Sequence, residues 1–353
     1  MSLDLTSFQV TNLFTVRDKW VVITGGGTGI GRTLTSAYAV NGAKVVITGR
    51  RGDVLETTAS EINAALPANA GKVYPVQGDV SSKTAVTQMT EKIAQITTVV
   101  DVLINCAGLL KPWREQCEVD DVENLQSMLW NGIEEEDFVD MTKVNVNGVY
   151  FTTIAMIPLL RKSSLPVVIN IASLAALGLQ RRGSSITLGA TKAGNLHLTS
   201  LLASRLIPFK IRVNAVCPGI FPSPMTGDGK VLMPVLSEAV KVSPAGRAGN
   251  PEEIAGPVLM LGSDAGSYMN NAVLVVDGGR LIVSGVPVLN SFPSILPNAY
   301  FECRPCPLSH RAPLAPWVSH RPCFSCIHMN HGNLSEISVA ASFLLAHSSS
   351  GSI

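Results

Sequence analysis

The sequence predicts an α/β fold: a doubly wound parallel sheet in a single domain, followed by a C-terminal tail. Between about residues 19 and 276, short β-rich runs alternate with amphipathic helical stretches, a pattern typical of a parallel sheet with right-handed crossovers. Most of the β-rich runs are almost continuously apolar, as strands covered by helices on both faces must be. A glycine-rich segment separates the first run from the first helix, which fits the same fold class.

The predicted elements follow one another in this alternating order. The predicted strands span residues 20–24, 44–48, 72–77, 99–105, 167–171, 212–216 and 273–276. Helices are predicted between them, for example at residues 32–41 and 54–66. Residues 110–140 are polar and acidic, and we predict that they form a surface loop with short helical pieces.

Composition excludes several classes of protein. The chain has 353 residues, of which 46% are hydrophobic and 15% charged, so it can bury a substantial core. A formal net charge of +1 argues against a nucleic-acid or anionic-membrane partner. The chain lacks an apolar run of transmembrane length, and its first residues lack the regions of a secretory signal. We therefore expect a cytoplasmic protein without nucleic-acid or membrane partners, whose cysteines at 106, 117 and 217 are reduced thiols.

The glycine-rich segment reads Thr-Gly-Gly-Gly-Thr-Gly-Ile-Gly over residues 24–31, directly after the first predicted strand. Glycines let the backbone turn tightly and approach a diphosphate closely, and the following helix presents free N–H groups to it. A flexible turn is the alternative, but the order of strand, loop and helix favours a dinucleotide-binding, Rossmann-type domain. The candidate cofactor-binding residues in this segment are Thr24, Gly25, Thr28, Gly29, Ile30 and Gly31.

The end of the second predicted strand indicates which nicotinamide dinucleotide is bound. NAD-binding proteins usually place a carboxylate there for the ribose 2′-hydroxyl. This chain has Arg50 and Arg51 instead, and a guanidinium pairs well with a 2′-phosphate. We therefore predict NADP with Arg50 as its ligand, the alternative being that both arginines belong to a solvated turn.

Further short motifs follow in a fixed order along the chain. They are Gly78-Asp79-Val80, Asn105-Cys106-Ala107-Gly108, Val144-Asn145, Asn170-Ile171-Ala172-Ser173, Cys217-Pro218-Gly219-Ile220 and Asp277-Gly278-Gly279. Together with the first glycine segment they resemble the short-chain dehydrogenase/reductase family over roughly the first 285 residues. The resemblance implies cofactor contacts from Asp79, Val80, Asn105, Ala107, Gly108, Lys192 and Ile220.

The resemblance also implies a catalytic set of Ser173, Asn145 and Lys192. In the family a tyrosine four residues before the lysine donates the proton, and that spacing puts both side chains on one helix face. Here that position holds Leu188, which carries no transferable proton. The nearby hydroxyls of Thr187 and Thr191 are expected to point elsewhere on the helix.

Three interpretations of the missing tyrosine remain open. The protein is an NADP-dependent oxidoreductase whose donor is water, Ser173 or a substrate group; or it is a non-catalytic NADP-binding pseudoenzyme with a regulatory or scaffold role; or its sequence is a degenerate copy of an active enzyme. Loss of a general acid typically costs about 10²–10⁴-fold in rate. We favour the enzyme, because the rest of the motif set is intact.

The resemblance further implies a mobile lid over residues 219–240. Its Phe, Met, Val and Leu content indicates a small apolar substrate, although plain core packing is the alternative. This segment and the long loop after Gly108 resemble fungal family members, which implies a role in secondary metabolism. Family members commonly form homo-oligomers through the helices that carry Asn145 and Lys192.

The chain is divided into a cofactor-binding domain over residues 1–285 and a tail over residues 286–353. The tail is rich in Pro, Ser, His and Cys without helical or strand periodicity, and we predict that it is disordered. By spacing, Cys303, Cys306, Cys323 and Cys326 fit a four-thiolate zinc site. We favour a chance arrangement and predict no metal site, since the family carries no such appendage.

Overall fold

A computed structural model describes residues 5–114, 121–178, 185–227 and 231–284. Within them one sheet of seven parallel strands has the order β3-β2-β1-β4-β5-β6-β7, which confirms the predicted fold class. The strands are β1 Trp20–Thr24, β2 Lys44–Gly49, β3 Lys72–Gln77, β4 Val102–Asn105, β5 Val167–Ile171, β6 Arg212–Pro218 and β7 Val273–Val276. The helices are α1 Val10–Leu13, α2 Gly29–Val40, α3 Gly52–Ala65, α4 Lys83–Ile96, α5 Val122–Asn131, α6 Glu135–Thr142, α7 Gly148–Leu160, α8 Ile186–Arg205, α9 Pro234–Lys241, α10 Pro251–Gly262 and α11 Arg280–Ser284.

All seven predicted strands are present; β2 and β6 extend beyond their predicted ends to Gly49 and Pro218, and the largest difference is at the start of β4. That strand begins at Val102, whereas the apolar run predicted a start at residue 99. The Thr97 hydroxyl donates to the Val99 carbonyl oxygen at 2.8 Å and accepts from its amide at 3.2 Å, which forms a turn. The Val100 amide then donates to the Leu159 carbonyl oxygen of α7 rather than to a neighbouring strand. Apolar character alone therefore overestimates the length of this strand.

Two apolar layers cover the sheet, one on each face. Alternate residues of β1 enter opposite layers, with Ile23 in one and Val22 in the other. The first layer joins the sheet to α2, α3 and α10, and the second joins it to α4, α7 and α8. Helices on both faces explain why the strands are continuously apolar instead of alternating.

The segment after β4 contains short helices, as the sequence predicted. Two helices, α5 and α6, lie within it, and the Asp121 carboxylate caps α5 by accepting from the Asn124 amide at 3.1 Å. Charged pairs tie the start of the segment to α6. Arg114 pairs with the buried Asp137 carboxylate, and Lys111 lies 3.4 Å from the same group.

Some predictions concern residues that the structure does not describe. The boundary after residue 285, the tail and Cys117 lie outside the described residues. Within the described ranges, every helix is too short or too polar to span a membrane. The same ranges contain no cluster of three His, Cys, Asp or Glu side chains arranged to hold a metal ion.

Candidate active site

The predicted site residues lie where the strands end. Carboxyl ends of parallel strands share one edge of the sheet, and ligands of such sheets bind in the crevice outside that edge. The glycine-rich segment follows β1, Arg50 follows β2 and Asp79 follows β3. Residues 106–108 follow β4, Ser173 follows β5, and Ile220 follows β6.

The glycine-rich segment forms a close-fitting cradle that side chains would fill. Gly25 has a φ of +70°, and an added Cβ there would lie 2.9 Å from the Ala107 Cα atom. An added Cβ at Gly31 would lie 2.0 Å from the Gly25 carbonyl oxygen. The backbone therefore packs against itself at the start of α2, as binding of a diphosphate requires.

Hydroxyl groups of three threonines hold the cradle in shape. Thr24 Oγ1 accepts hydrogen bonds from the amides of Cys106 and Ala107, both at 3.1 Å. The hydroxyls of Thr35 and Thr58 donate to carbonyl oxygens of the segment at 3.1 and 2.9 Å. Because the cradle is rigid and opens onto a helix N-terminus, its residues fit the diphosphate of a nicotinamide dinucleotide.

The ends of β2 and β3 border the cradle with charged groups. Arg50 and Arg51 are exposed, and neither forms an ion pair among the described residues. The Arg50 carbonyl oxygen accepts from the Gln77 side-chain amide at 2.9 Å, which fixes the turn after β2. The Asp79 carboxylate accepts from the Ser81 amide at 2.9 Å and from its hydroxyl at 2.8 Å.

Beneath the site, buried amide side chains join the middle strands. The Asn105 side-chain amide donates to Asn170 Oδ1 at 2.9 Å and to Thr153 Oγ1 at 3.1 Å. Asn170 in turn donates to the Thr199 hydroxyl of α8 at 2.9 Å. Because all of these residues are at most 2% exposed, the bonds set the spacing of β4, β5, α7 and α8 below the crevice.

Asn145 lies in a π-helical turn, Lys143–Asn147, just before α7. Its side chain accepts from the Leu109 amide at 2.9 Å and donates to the Leu109 carbonyl oxygen at 3.0 Å. It also donates to Thr191 Oγ1 of α8 at 3.1 Å. The fully buried Asn145 side chain therefore joins the chain leaving β4 to the helix that carries Lys192.

Lys192 is 6% exposed, and its ammonium donates to the Ile171 carbonyl oxygen at 2.7 Å. Burial lowers the pKa of Lys192 to about 8. An added Cβ at Gly108 would lie 3.7 Å from Lys192 Nζ and 3.6 Å from Asn145 Oδ1. The structure therefore brings three predicted residues together around one small space.

Ser173 follows β5 by two residues, and its side chain is half-buried. Its Oγ atom accepts from the Ala175 amide at 3.1 Å, so the hydroxyl hydrogen is not used in that bond. Its main-chain amide faces the Cys217 thiol, whose pKa is raised by burial. Ser173 therefore stands at the same strand edge as the carbonyl oxygen that Lys192 bonds.

The segment after β6 crosses both parts of the site. An added Cβ at Gly29 would lie 2.9 Å from Ser223 Cβ, and one at Gly108 would lie 3.7 Å from Met225 Cε. The Ile220 carbonyl oxygen accepts from the Gly249 amide at 2.9 Å, which anchors the start of the segment. Ser223 and Met225 lie in the segment predicted as a lid over residues 219–240, but the sequence did not indicate which of its side chains meet the site.

Comparison with known proteins identifies the family. A family model described as Enoyl-(Acyl carrier protein) reductase matches residues 25–280. The short-chain dehydrogenase/reductase PhomF of Diaporthe leptostromiformis is 35% identical over 299 residues, which covers 80% of this chain and 99% of PhomF. The chain belongs to the short-chain dehydrogenase/reductase family.

Other members of the family support the same assignment. The 3-oxoacyl-(acyl-carrier-protein) reductase FabG of Thermotoga maritima is 31% identical over 264 residues, covering 75% of this chain and 98% of FabG. The Pseudomonas aeruginosa RhlG/NADP active-site complex superimposes with a TM-score of 0.66 at 28% identity, covering 76% of this chain and 98% of RhlG. The predicted family and Rossmann-type fold are thus confirmed, and the protein is an oxidoreductase of a family that binds nicotinamide cofactors.

This family member departs from the expected pattern in α8. Leu188 is half-buried, one helical turn before Lys192. The hydroxyl of Thr187 lies 2.6 Å from Ser185 Oγ, and that of Thr191 donates to the Thr187 carbonyl oxygen at 2.8 Å. The Thr191 hydroxyl also lies 3.2 Å from the Leu188 carbonyl oxygen, so both threonine hydroxyls are engaged with Ser185 or with the backbone of α8.

Asn195 also contacts this part of the site, and sequence reasoning missed it. The Asn195 side-chain amide donates to the main-chain carbonyl oxygen of Asn145 at 3.0 Å. Asn195 Oδ1 is buried and has no partner among the residues that the structure describes. Its position three residues after Lys192, on the same helix face, was the available signal.

Proposed function

We propose that the protein is an NADP-dependent oxidoreductase that acts on a carbonyl or hydroxyl of a small apolar metabolite. The observation that carries the proposal is the convergence of Lys192 Nζ and Asn145 Oδ1 on the space above Gly108. This space lies at the sheet edge that also holds the glycine cradle and Ser173. A bound nicotinamide supplies or accepts the hydride, and the chain's own residues provide the remaining functions.

The cofactor is proposed to lie along the strand ends from β3 to β6. Residues 24–31 hold the diphosphate through backbone amides and the N-terminus of α2. The exposed Arg50 guanidinium, free of carboxylate partners among the described residues, pairs with the 2′-phosphate of NADP. Asp79 and Val80 border the adenine, whereas Asn105, Ala107, Gly108, Lys192 and Ile220 border the nicotinamide half.

The catalytic set is proposed to be Ser173, Asn145 and Lys192. The Ser173 hydroxyl, whose hydrogen is not used in its bond with Ala175, orients the substrate carbonyl oxygen by donating to it. The Lys192 ammonium provides positive charge beside that oxygen. Asn145 holds Leu109 and α8 in place around the space above Gly108.

An apolar substrate fits the segment that covers the site. Met225 of this segment borders the space above Gly108 and is 39% exposed, so an apolar side chain is available there to a ligand. The fungal relative PhomF supports a role in secondary-metabolite biosynthesis. The two free thiols, Cys106 and Cys217, fit a cytoplasmic protein.

A homo-oligomer is proposed from the outer surface of α7. This helix is apolar around its whole circumference, yet Tyr150 and Ile154 are 42% and 37% exposed. A helix of this composition is normally covered on all sides. Leu201 of α8, the other helix implied in family oligomers, is likewise 51% exposed.

Cofactor titration tests the proposal. Fluorescence of the purified full chain is followed during addition of NADPH or NADH, and we expect NADPH to bind more tightly by at least about tenfold. Oxidation of NADPH is then followed with activated ketones: an acetoacetyl thioester, a 1,2-diketone and an ortho-quinone. A folded protein that binds neither dinucleotide at millimolar concentration would overturn the proposal.

A non-catalytic NADP-binding protein is the second candidate. The observation that favours it is Leu188, which leaves the usual donor position without an acidic group. If the protein is non-catalytic, NADPH should bind but should not be oxidised with any of the three carbonyl probes. Turnover that depends on the protein excludes this candidate.

A further inference from the structure

The Lys192 ammonium lies in a buried polar space to which the described residues contribute no carboxylate. Among those residues it makes one hydrogen bond, to the Ile171 carbonyl oxygen, so N–H groups remain for a ligand. The side-chain oxygen of Asn145 and the backbone of Gly108 border the same space. The ammonium is therefore placed to act on a group that enters above Gly108.

In the part of the chain that the structure describes, two thiols are the titratable groups around the ammonium: Cys106 after β4 and Cys217 in β6. Burial raises the pKa of Cys106 to about 12 and also raises the pKa of Cys217. Both thiols are thus neutral near pH 7 and supply no counter-ion. An ammonium that is buried without a counter-ion releases its proton more readily than an exposed one.

The other hydroxyls near the site are less suitable donors. Those of Thr187 and Thr191 are engaged with Ser185 and with the backbone of α8. An aliphatic hydroxyl such as that of Ser173 is also a far weaker acid than an ammonium. Leu188, which carries no proton to transfer, is one helical turn from Lys192 on the same face of α8.

We propose that Lys192 is itself the proton donor of the reaction, in the role that a tyrosine at position 188 would otherwise fill. This inference rests on the proposed reductase function. The carbonyl carbon receives a hydride from NADPH, and its oxygen receives a proton from the Lys192 ammonium, directly or through one water. The alcohol and NADP⁺ result, and the neutral amine regains a proton from solvent. The donor's pKa then lies near the working pH, where general acids are most effective.

Replacement of Lys192 by arginine separates charge from acidity. Arginine keeps a positive charge and N–H donors, but it does not release a proton in proteins. For Lys192→Arg we expect NADPH affinity within about tenfold of the parent and a loss of at least about 10²-fold in turnover of the ortho-quinone and diketone probes. The double variant Leu188→Tyr/Lys192→Arg is expected to recover turnover, because the phenol can donate beside the retained charge. This recovery also shows that the arginine site is folded.

A direct titration supplies a readout that does not depend on turnover. The full chain is labelled with [6-¹³C]lysine, and the Lys192 signal is identified by its absence from Lys192→Arg. We expect this signal to titrate near pH 8, whereas exposed lysines titrate at about pH 10.4. Turnover of the parent should fall tenfold per pH unit above the same midpoint. A Lys192 midpoint above about pH 10 overturns the proposal.

The remaining outcomes separate this inference from the proposed function. If the Lys192→Arg variant keeps a tenth or more of the parental turnover, another group donates the proton. This result overturns the inference about Lys192 but leaves the proposed function standing. NADPH binding without turnover, followed by turnover in Leu188→Tyr, also overturns the role of Lys192 and favours the non-catalytic interpretation. Absence of NADPH binding overturns the proposed function and this inference with it.

Discussion

At the scale of single residues, the cradle depends on the absence of side chains. An alanine Cβ at Gly31 would lie 2.0 Å from the Gly25 carbonyl oxygen, closer than any non-bonded contact. Gly31→Ala should therefore push the segment outward and weaken NADPH binding by at least about tenfold, measured by fluorescence titration. Gly194→Ala in α8 is the control, since its Cβ would meet only Val146 Cγ2 at an ordinary 3.4 Å. Equal NADPH affinity in the two variants would contradict the proposed cradle.

Arg50 provides the residue-scale test of cofactor selectivity. Arg50→Glu should weaken NADPH binding by about 10–100-fold, because a carboxylate repels the 2′-phosphate, and should change NADH binding much less. Arg205→Glu is the control: Arg205 is also exposed and the charge change is the same, but it lies in the last turn of α8. The ratio of the two dissociation constants is the measurement. An unchanged ratio in Arg50→Glu would assign Arg50 to a solvated turn.

The sequence predicted some of the site's contacts and missed others for a physical reason. Gly108, Asn145 and Lys192 were identified from motifs, and they border one space because their strands end at one edge. Ser223 and Met225 belong to the predicted lid, but their contacts were not predicted, since these depend on how the segment after β6 folds back across the edge. Asn195 was missed because its bond to the Asn145 carbonyl joins two separate elements.

At the scale of elements, apolar runs located all seven strands, because strands buried on both faces have a simple signal. Strand ends were less predictable: the Thr97 turn, not hydropathy, delays the start of β4. The polar segment after β4 was predicted as a surface loop with short helical pieces, but the sequence did not locate α5 and α6, which form there through local caps and charge pairs. Such pairs depend on side-chain geometry that polarity alone does not reveal.

The charge pairs between residues 111–114 and α6 predict a stability effect. The Asp137 side chain is 3% exposed, and its hydrogen bond from Arg114 holds its pKa far below the usual range. Asp137→Asn leaves both Arg114 and Lys111 without this partner and should lower the Tm by about 5 °C or more at pH 7. Asp140→Asn is the control, because Asp140 is 41% exposed and pairs with Lys111 at the surface. If Asp140→Asn lowered the Tm as much as Asp137→Asn does, the buried Asp137 carboxylate would not be the group that stabilises this segment.

The stability that Asp137 provides depends on pH, because its pKa is lowered in the folded protein. A carboxyl group with a depressed folded pKa stabilises the fold above its unfolded pKa and loses this contribution as pH falls through the folded pKa. The Tm difference between the parent and Asp137→Asn should therefore be constant from pH 7 to about pH 5 and shrink only below about pH 4. Thermal melts across this range measure it, and a difference that vanishes between pH 7 and 5 would contradict the assignment.

At the scale of the whole molecule, the two apolar layers bury the sheet-facing sides of the described helices that flank the sheet. They do not cover the outer face of α7. Tyr150 and Ile154 remain exposed on a helix that is apolar all round, so a second copy of the chain is the proposed cover. Ile154→Asp should then shift the sedimentation coefficient of the full chain toward that of a monomer at micromolar concentration, because burial of an unpaired carboxylate is costly. Val122→Asp is the matched control, since Val122 is 81% exposed on α5 and lies outside this surface. A parent protein that sediments as a monomer, or equal dissociation in both variants, would remove α7 as the interface.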